Sequence, residues 1–280
     1  MKVLNSIKQR LISALAILIL MAAVVLCNAR FPLALNFVIA VISVMAVWEI
    51  SAALQLTRQI ALVVPSMVLA AVLPFLSGLF GQGFVLFVYT VVLFSAMILY
   101  HSVITFREVA IIYSMTMLIP TALQSLVLLR ELGGTHGMFH VIVAIFAAWV
   151  ADAGAYIFGS LFGKHKLCPS ISPKKTVEGA IGGVIVDVLI MLLFGVIFQD
   201  IYWNRTVHVN YFILGAIGFF GALLSMLGDL SFSIIKRSCH IKDFSELIPG
   251  HGGILDRFDS VIFVAPFVCL LLKMVPMVYE

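Results

Sequence analysis

Residues 179–198 read GAIGGVIVDVLIMLLFGVIF, and a stretch of this kind decides the class of fold. Asp187 is the only ionisable residue in it. About 20 apolar residues are enough for a helix to cross the hydrocarbon core of a bilayer. In that core a helix satisfies its backbone N–H and C=O groups within one segment. The stretch therefore predicts a transmembrane helix.

The rest of the chain has the same apolar character. Of its 280 residues, 63% are hydrophobic and only 11% are charged, and the mean hydropathy is +1.18. A soluble domain carries about 25% charged residues. We therefore predict an all-α fold, a polytopic transmembrane helical bundle of about nine spans, with eight or ten left open. The predicted spans are residues 11–28, 32–54, 60–79, 83–100, 109–129, 137–161, 179–198, 211–230 and 260–278.

Lysine and arginine residues orient this bundle, because cytoplasmic loops carry an excess of them. With a cytoplasmic N-terminus and the spans above, 13 of the 17 fall inside and 4 fall outside. The two longest polar loops, residues 162–178 and 231–259, then lie on the cytoplasmic side. The net charge of +4 follows from this asymmetry, so no nucleic-acid partner is needed to explain it.

One polar stretch stands out, residues 233–259, which read SIIKRSCHIKDFSELIPGHGGILDRFD. It contains four cations, four carboxylates, two histidines and three glycines. Ionisable groups are costly beside hydrocarbon, so this density indicates a functional site. We therefore divide the chain into N-terminal scaffold helices, residues 1–148, and a C-terminal catalytic region, residues 149–280, which contains both cytoplasmic loops.

Three aspartates lie at predicted helix ends beside this stretch. Asp229 closes the eighth predicted span, and Asp256 and Asp259 open the ninth, where a spacing of three puts them on one face of a helix. The predicted topology places all three at a similar depth, and converging carboxylates suit Mg²⁺, which prefers oxygen ligands. The alternative is that they are solvated helix-end acids, with Asp256 and Asp259 favoured by the helix N-terminus.

Four cations are interleaved with these acids, namely Lys236, Arg237, Lys242 and Arg257. Arginine can hold phosphate oxygens with two hydrogen bonds, and lysine supplies a compact charge. Alternating acids and bases therefore suit a phosphate ester bound through a metal ion. Positive-inside topology and attraction to anionic lipid would also explain the lysines, but not the acids among them.

Two loops offer further anion-binding groups. Pro249-Gly250-His251-Gly252-Gly253 predicts a flexible turn whose backbone N–H groups can approach an anion, and His251 suits either a phosphate contact or a turn cap. Ser172-Pro173-Lys174-Lys175-Thr176 precedes a predicted span, where hydroxyl and ammonium groups suit an anion at a helix start. Taken alone, this second run is better explained as an N-terminal cap with topology-setting lysines.

Acids inside predicted spans complete the candidates. Asp152 lies in the cytoplasmic half of the sixth span, and such a residue usually faces the bundle interior or a water-filled cavity. Glu49 and Asp187 are weaker candidates, because neither belongs to a wider polar motif.

The order of these motifs resembles that of phosphatidate cytidylyltransferases, also called CDP-diacylglycerol synthases. The resemblance is specific over about residues 149–259 and generic before them. The segments that carry it are Asp152–Tyr156, Gly163-Lys164, Ser172–Gly179, Gly228-Asp229, Ser233–Arg237, Lys242–Ser245 and Pro249–Asp259.

The resemblance implies a Mg²⁺-dependent enzyme that transfers CMP from CTP to phosphatidate and releases pyrophosphate. Whether a second cation assists stays open. It also implies an integral protein of a bacterial cytoplasmic (inner) membrane, surrounded by membrane lipid, with a homodimer as an expectation from the family alone. Two other classes fit less well. A secondary transporter would more often show broken helices and matching halves, and a lipid-binding scaffold would not need acids among its lysines.

The expected roles under this interpretation fall into three groups. The catalytic residues would be Asp229, Asp256, Lys236, Arg237, Lys242 and Arg257. The substrate-binding residues would be Asp152, Ser172, Lys174, Lys175, Thr176, Ser233, His251, Gly252 and Gly253. The metal ligands would be Asp229 and Asp256, with Asp259 close by.

Overall fold

The protein is almost entirely α-helical in the computed structural model, which describes residues 15, 19, 21–28, 30–76, 78–203, 205–248, 250 and 252–279. Within this described part, six helices are long and apolar enough to cross a membrane by length and composition. The coarse prediction of a helical integral membrane protein is therefore confirmed. Residues 21–28, at the end of the first predicted span, are helical, and most of the rest of that span lies outside the described residues.

Eight of the described helices that follow residue 30 overlap the remaining predicted spans, and one further single turn lies in the predicted loop at residues 231–259. In chain order they are α1 (Ala34–Ala53), α2 (Ile60–Val72), α3 (Leu79–Leu99), α4 (Phe106–Leu132), α5 (Gly137–Phe162), α6 (Val177–Val196), α7 (Tyr211–Ser238), α8 (Leu255–Phe258) and α9 (Val261–Met274). A 3₁₀ turn, Leu73–Phe75, follows α2, and a π-helix, Ile197–Tyr202, continues α6. The α2 and α9 helices are shorter apolar helices, and α8 is a single turn.

Two small antiparallel sheets, which the all-α prediction missed, join these helices. Strand β1 (Lys166–Cys168) pairs with β2 (Ser172–Thr176), and β3 (His208–Val209) pairs with β4 (Val278–Tyr279). Such short strands do not show the alternating pattern by which a strand is predicted. The predicted loop at residues 162–178 is therefore a β-hairpin between α5 and α6.

The α7 helix is longer than its predicted span, 211–230. It continues to Ser238, and two cations occupy its last turn, where they interact favourably with the helix C-terminus. Ser233 and Lys236 are buried on one face of this extension. The predicted loop therefore begins only after α7 ends, and Asp229 lies inside a helix and not at its end.

The chain packs as two compact units. The first unit combines Met1–Val127 with Ser238–Phe258, and the second unit combines Leu128–Arg237 with Asp259–Glu280. The polar stretch singled out in the sequence is thus divided between them. The division into scaffold and catalytic regions is a functional prediction that this packing does not test.

In the first unit, α1 packs on α2, and α2 packs on α3. Leu69 and Leu73 belong to its core and are at most 2% exposed. Two amide side chains bind carbonyl groups at the end of α2 and its 3₁₀ turn. Asn36 Nδ2 donates to the carbonyl oxygen of Pro74 at 2.6 Å, and Gln124 Nε2 donates to that of Leu73 at 2.9 Å. These bonds add side-chain donors to carbonyls at a helix end, where the carbonyl of Leu73 also accepts the N–H of Leu76 at 3.1 Å.

In the second unit, α5 and α6 pack closely because glycines lie between them. A Cβ on Gly154 would lie 2.9 Å from the Cβ of Val186, and one on Gly183 would lie 2.8 Å from the carbonyl oxygen of Ala151. Small residues allow such close approach of helix backbones in membranes. The hairpin before α6 and the second half of α5 line one cavity.

Candidate active site

A cavity of about 460 Å³ lies in the second unit, a volume typical of small-ligand sites. Asp152 of α5 and Asp229 of α7 line it. Three lysines of the hairpin line it as well, Lys166 of β1 and Lys174 and Lys175 of β2. The cavity therefore presents acids and bases to the same volume, an arrangement that suits a polyanion bound together with a cation.

The start of α6 holds this hairpin in place. Thr176 is buried and caps α6, since its Oγ1 accepts the N–H of Gly179 at 3.1 Å. Glu178 accepts the N–H of Lys164 at 3.0 Å and contacts the ring Nδ1 of His165 at 2.6 Å. The structural alternative, an N-terminal cap, is therefore correct for Thr176, while the two lysines before it line the cavity.

Asp229 is held by side chains. Lys175 Nζ lies 2.5 Å from its Oδ2, and Ser233 Oγ donates to its Oδ1 at 3.3 Å. The ion-paired side chains of Asp229 and Lys175 are 29% and 23% exposed, so solvent screens the pair in part. Both groups are therefore accessible to solvent and line the cavity.

Asp152 is held more firmly than Asp229. Its Oδ1 accepts a hydrogen bond from Ser225 Oγ at 2.9 Å, and its Oδ2 accepts one from Ser260 Oγ at 2.8 Å. Ser225 belongs to α7, and Ser260 lies directly before α9. Neither serine could be singled out in the sequence, because a single hydroxyl in or beside an apolar span does not reveal its partner.

Asp259 lies between α8 and α9 and is buried, with 6% of its surface exposed. A Cβ on Gly228 would lie 2.7 Å from the carbonyl oxygen of Asp259, so this glycine allows a close approach to α7. Burial, together with the nearby carboxylate of Asp229, raises the pKa of Asp259 to about 8, although Lys236, whose Nζ lies 4.0 Å from Oδ2, opposes the shift. The second unit thus collects carboxylates whose negative charges repel one another.

The chemistry of these donors fits a hydrated Mg²⁺. A bound cation would relieve the repulsion between Asp229 and Asp259. Among the described residues, no group of three or more His, Cys, Asp or Glu side chains is placed to hold a metal ion. Mg²⁺ does not require such a group, because it usually keeps several waters and binds one or two carboxylates together with substrate phosphates.

The Gly-rich turn of the first unit folds around Asp256. Oδ2 of this residue accepts the N–H groups of Phe244 at 2.8 Å and Gly253 at 2.9 Å. Gly252 has a φ of +82°, in the left-handed region that favours glycine. The turn was predicted to bind an anion, and its Gly253 N–H binds the carboxylate of Asp256 from the same chain. The predicted contact of His251 falls outside the described residues.

The remaining predicted residues belong partly to the second unit and partly to the first. Ser172 and Arg237 belong to the second unit but are not among the residues that line its cavity. In the first unit, Lys242 is exposed and Arg257 is half-buried on α8. The structure thus brings the hairpin lysines to Asp152 and Asp229, and it does not bring Ser172 or Arg237 to the same cavity.

Some residues that the sequence analysis ranked low or missed have clear structural positions. Glu49 accepts three hydrogen bonds beside the Gly-rich turn, all within the first unit. Asp187 is fully buried, and its carboxylate oxygens have no hydrogen-bond partner among the described residues. Tyr156 and Lys166 line the cavity. Glu49 and Asp187 could be noticed in the sequence because each is an acid within an apolar span, but this pattern does not identify their partners.

The fold and the cavity indicate an integral membrane protein whose cavity suits a phosphate-bearing ligand. A model described as the cytidylyltransferase family matches residues 8–275. The chain therefore belongs to the cytidylyltransferase family, and the resemblance inferred from its motifs is confirmed.

Similar proteins bear the name phosphatidate cytidylyltransferase. The one from Staphylococcus saprophyticus is 44% identical over 138 residues, which are 49% of this chain and 50% of that relative. The one from Staphylococcus epidermidis is 43% identical over 138 residues, with the same shares. The one from Bacillus subtilis is 37% identical over 177 residues, 63% of each chain. The chain thus spans about half the length of the staphylococcal relatives it matches.

Proposed function

We propose that this protein is a phosphatidate cytidylyltransferase, which transfers the CMP group of CTP to phosphatidate. The observation that carries the proposal is the cavity in which three lysines meet Asp152 and Asp229. The family and the names of the relatives support the choice of CTP and phosphatidate as substrates. The products would be CDP-diacylglycerol and pyrophosphate, in phospholipid biosynthesis.

The reaction joins two anions. A phosphate oxygen of phosphatidate attacks the α-phosphorus of CTP, and the bond from that phosphorus to the oxygen of the β-phosphate breaks. The electron pair leaves with pyrophosphate. Because the attacking phosphate is already anionic, no strong general base is needed. The protein must instead align the two substrates and neutralise their charge.

The hairpin lysines supply this neutralisation. Lys166, Lys174 and Lys175 present compact positive charges to phosphate oxygens in the cavity. The cap formed by Thr176 and the bonds accepted by Glu178 hold the hairpin in position, which reduces the entropy lost when a phosphate binds. A phosphate that binds the ammonium group of Lys175 would break its ion pair with Asp229. The carboxylate of Asp229 would then be available to bind a cation.

Mg²⁺, when bound, would neutralise charge that develops on the leaving pyrophosphate. We assign Asp229 and Asp259 of the second unit to it, and we retain Asp256 as a ligand from the sequence analysis. Asp152, fixed by two serines, would order the inner wall of the cavity. The cations proposed to bind the triphosphate or the lipid phosphate are Lys236, Arg237, Lys242 and Arg257.

We also propose a location for the whole protein, the cytoplasmic (inner) membrane of a bacterium, with about nine spans and a cytoplasmic N-terminus. The site would then face the compartment that supplies CTP. Exposed apolar surface supports contact with membrane lipid, since Phe84 and Phe87 of α3 are 59% and 65% exposed. A homodimer is part of the proposal on the strength of the family alone.

The test is an assay of purified protein with CTP labelled at the α-phosphate, phosphatidate and Mg²⁺. Lipid-soluble label together with free pyrophosphate is the expected result, and chelation of Mg²⁺ should abolish it. Binding of CTP without lipid-linked label would contradict the proposal and favour a binding protein. Transport of label across proteoliposomes without any chemical change would favour a transporter.

A further inference from the structure

Glu49 lies near the end of α1 and is buried, with 4% of its surface exposed. Its Oε1 accepts hydrogen bonds from the Ser245 hydroxyl at 2.6 Å and from the Ile254 N–H at 2.9 Å. Its Oε2 accepts the Leu255 N–H at 2.7 Å. One carboxylate of the first unit therefore joins both ends of the segment 245–255, which contains the Gly-rich turn.

This position is unfavourable for a carboxylate unless its contacts are needed. A negative charge near a helix C-terminus opposes the helix dipole, and burial removes its hydration. An apolar side chain of similar size would pack there at a lower cost. The charge-assisted hydrogen bonds of Glu49 offset this cost. The role of Glu49 is therefore to hold the three groups that donate these hydrogen bonds.

Glu49 and Asp256 divide three consecutive backbone N–H groups between them. Asp256 accepts the N–H of Gly253, and Glu49 accepts those of Ile254 and Leu255. A Cβ on Gly253 would lie 2.6 Å from both carboxylate oxygens of Glu49, so the close approach requires a glycine. The direction of the Asp256 carboxylate thus depends on peptide groups that Glu49 holds.

We propose that Glu49 is a positioning residue that fixes the Gly-rich turn and, through it, the orientation of Asp256. The inference rests on the proposed function, which assigns Asp256 to Mg²⁺. Glu49 acts through the backbone of the turn and does not bind the substrate. Its loss therefore changes the Mg²⁺ requirement and the rate of turnover more than it changes the KM for CTP.

The experiment compares Glu49→Gln with Glu246→Gln in the purified full chain. The substitutions are chemically identical, and Glu246 is an exposed residue of the same segment. Glutamine at position 49 has only one acceptor oxygen, so it cannot reproduce both sets of bonds. We expect kcat to fall and the half-saturating Mg²⁺ concentration to rise, each by about 10- to 100-fold, as when a group that orients a metal ligand is lost. Glu246→Gln should match the wild type, whereas an unchanged Mg²⁺ requirement in Glu49→Gln overturns the proposal.

A second measurement does not depend on activity. Trypsin cuts after Lys242, which is exposed and precedes Ser245 by three residues. Faster cleavage there is expected for Glu49→Gln and for the milder variant Ser245→Ala, and equal rates in all variants overturn the proposal. If the wild type forms no CDP-diacylglycerol, the proposed function fails, and the cleavage rates still decide whether Glu49 holds the segment.

Discussion

Asp229 and Asp256, two of the acids assigned to Mg²⁺, are held in different ways. Asp256 accepts two backbone N–H groups within a turn that a left-handed glycine shapes. Asp229 is held by the side chains of Lys175 and Ser233. Backbone bonds fix the direction of a carboxylate, whereas an ion pair that is partly exposed to solvent, such as that of Lys175 with Asp229, can be exchanged. We therefore expect Asp256 to be oriented before any ligand binds and Asp229 to change partners when one does.

Replacing either acid by asparagine should have the largest effect. Asp229→Asn and Asp256→Asn remove a negative charge but keep an oxygen acceptor, so the local fold should be retained. We expect kcat to fall by about 100- to 1000-fold because charge stabilisation of the leaving group is lost. Labelled CDP-diacylglycerol formed at saturating CTP measures the effect.

Asp200→Asn is the matched control for these two variants. Asp200 pairs with the exposed Arg205 at 3.0 Å and is not among the residues that line the cavity, so its replacement should leave kcat near the wild-type value. Near-normal turnover of Asp256→Asn would remove Asp256 from the metal site, and Asp229 would then be the more important of the two.

Lys175→Ala should have the next largest effect, which we expect on the binding of CTP. The variant loses a lysine that we expect to pass from Asp229 to a phosphate oxygen. We expect the KM for CTP to rise by about 10- to 100-fold, the effect of losing a hydrogen bond to a charged group. Lys273→Ala, at an exposed lysine in the last turn of α9, serves as the control. An unchanged KM would show that Asp229 and Lys175 form a structural pair.

The glycines of the turn should respond differently to alanine. Gly252 is in the left-handed region, where a Cβ costs about 1–2 kcal/mol. Gly253 is not in that region, and its Cβ would instead meet Glu49. In the Glu49→Ala background, Gly253→Ala should therefore lower the thermal unfolding temperature no further, while Gly252→Ala still should. Equal costs in both backgrounds would show that Glu49 and Gly253 are independent.

Thr176→Ala should have the smallest effect. The variant loses the oxygen that accepts the Gly179 N–H at the start of α6. An N-cap of this kind contributes about 1 kcal/mol, so the unfolding temperature should fall slightly. Thr176→Ser keeps the acceptor and should restore the unfolding temperature. Failure of serine to do so would assign the effect to packing of the threonine methyl group.

The class of protein and several site residues could be predicted from the sequence for one physical reason. Charged groups are costly in hydrocarbon, so long apolar runs predict membrane spans. For the same reason, ionisable residues within or beside these runs are candidates for functional roles. The residues found in this way include Asp152 and Asp229, whereas Lys174 and Lys175 were assigned to the site through the family resemblance; all four line one cavity in the structure. The helix of the eighth predicted span was ended too early in the prediction, because Lys236 was taken as a loop residue although its charge is tolerated within a buried helical face beside Asp259.

The contacts of Glu49 could not be predicted in the same way. Ser245 is 196 residues away along the chain, and the other two donors are backbone groups, which every residue except proline carries. The short strands of the hairpin escaped prediction as well, since they show no alternating pattern. Glu178 of the following helix also holds the residues before β1.

The sequence by itself thus determined that this is a helical membrane protein and which of its residues are candidates for the chemistry, because the cost of charge in hydrocarbon depends on residue type and local composition alone. The tertiary structure decided how each acid is held. That depends on which backbone N–H groups, hydroxyls and lysines the packing of distant segments brings within hydrogen-bond reach. For that reason Asp256 is oriented by a turn that Glu49 anchors, and Asp229 is left with partners that a ligand can replace.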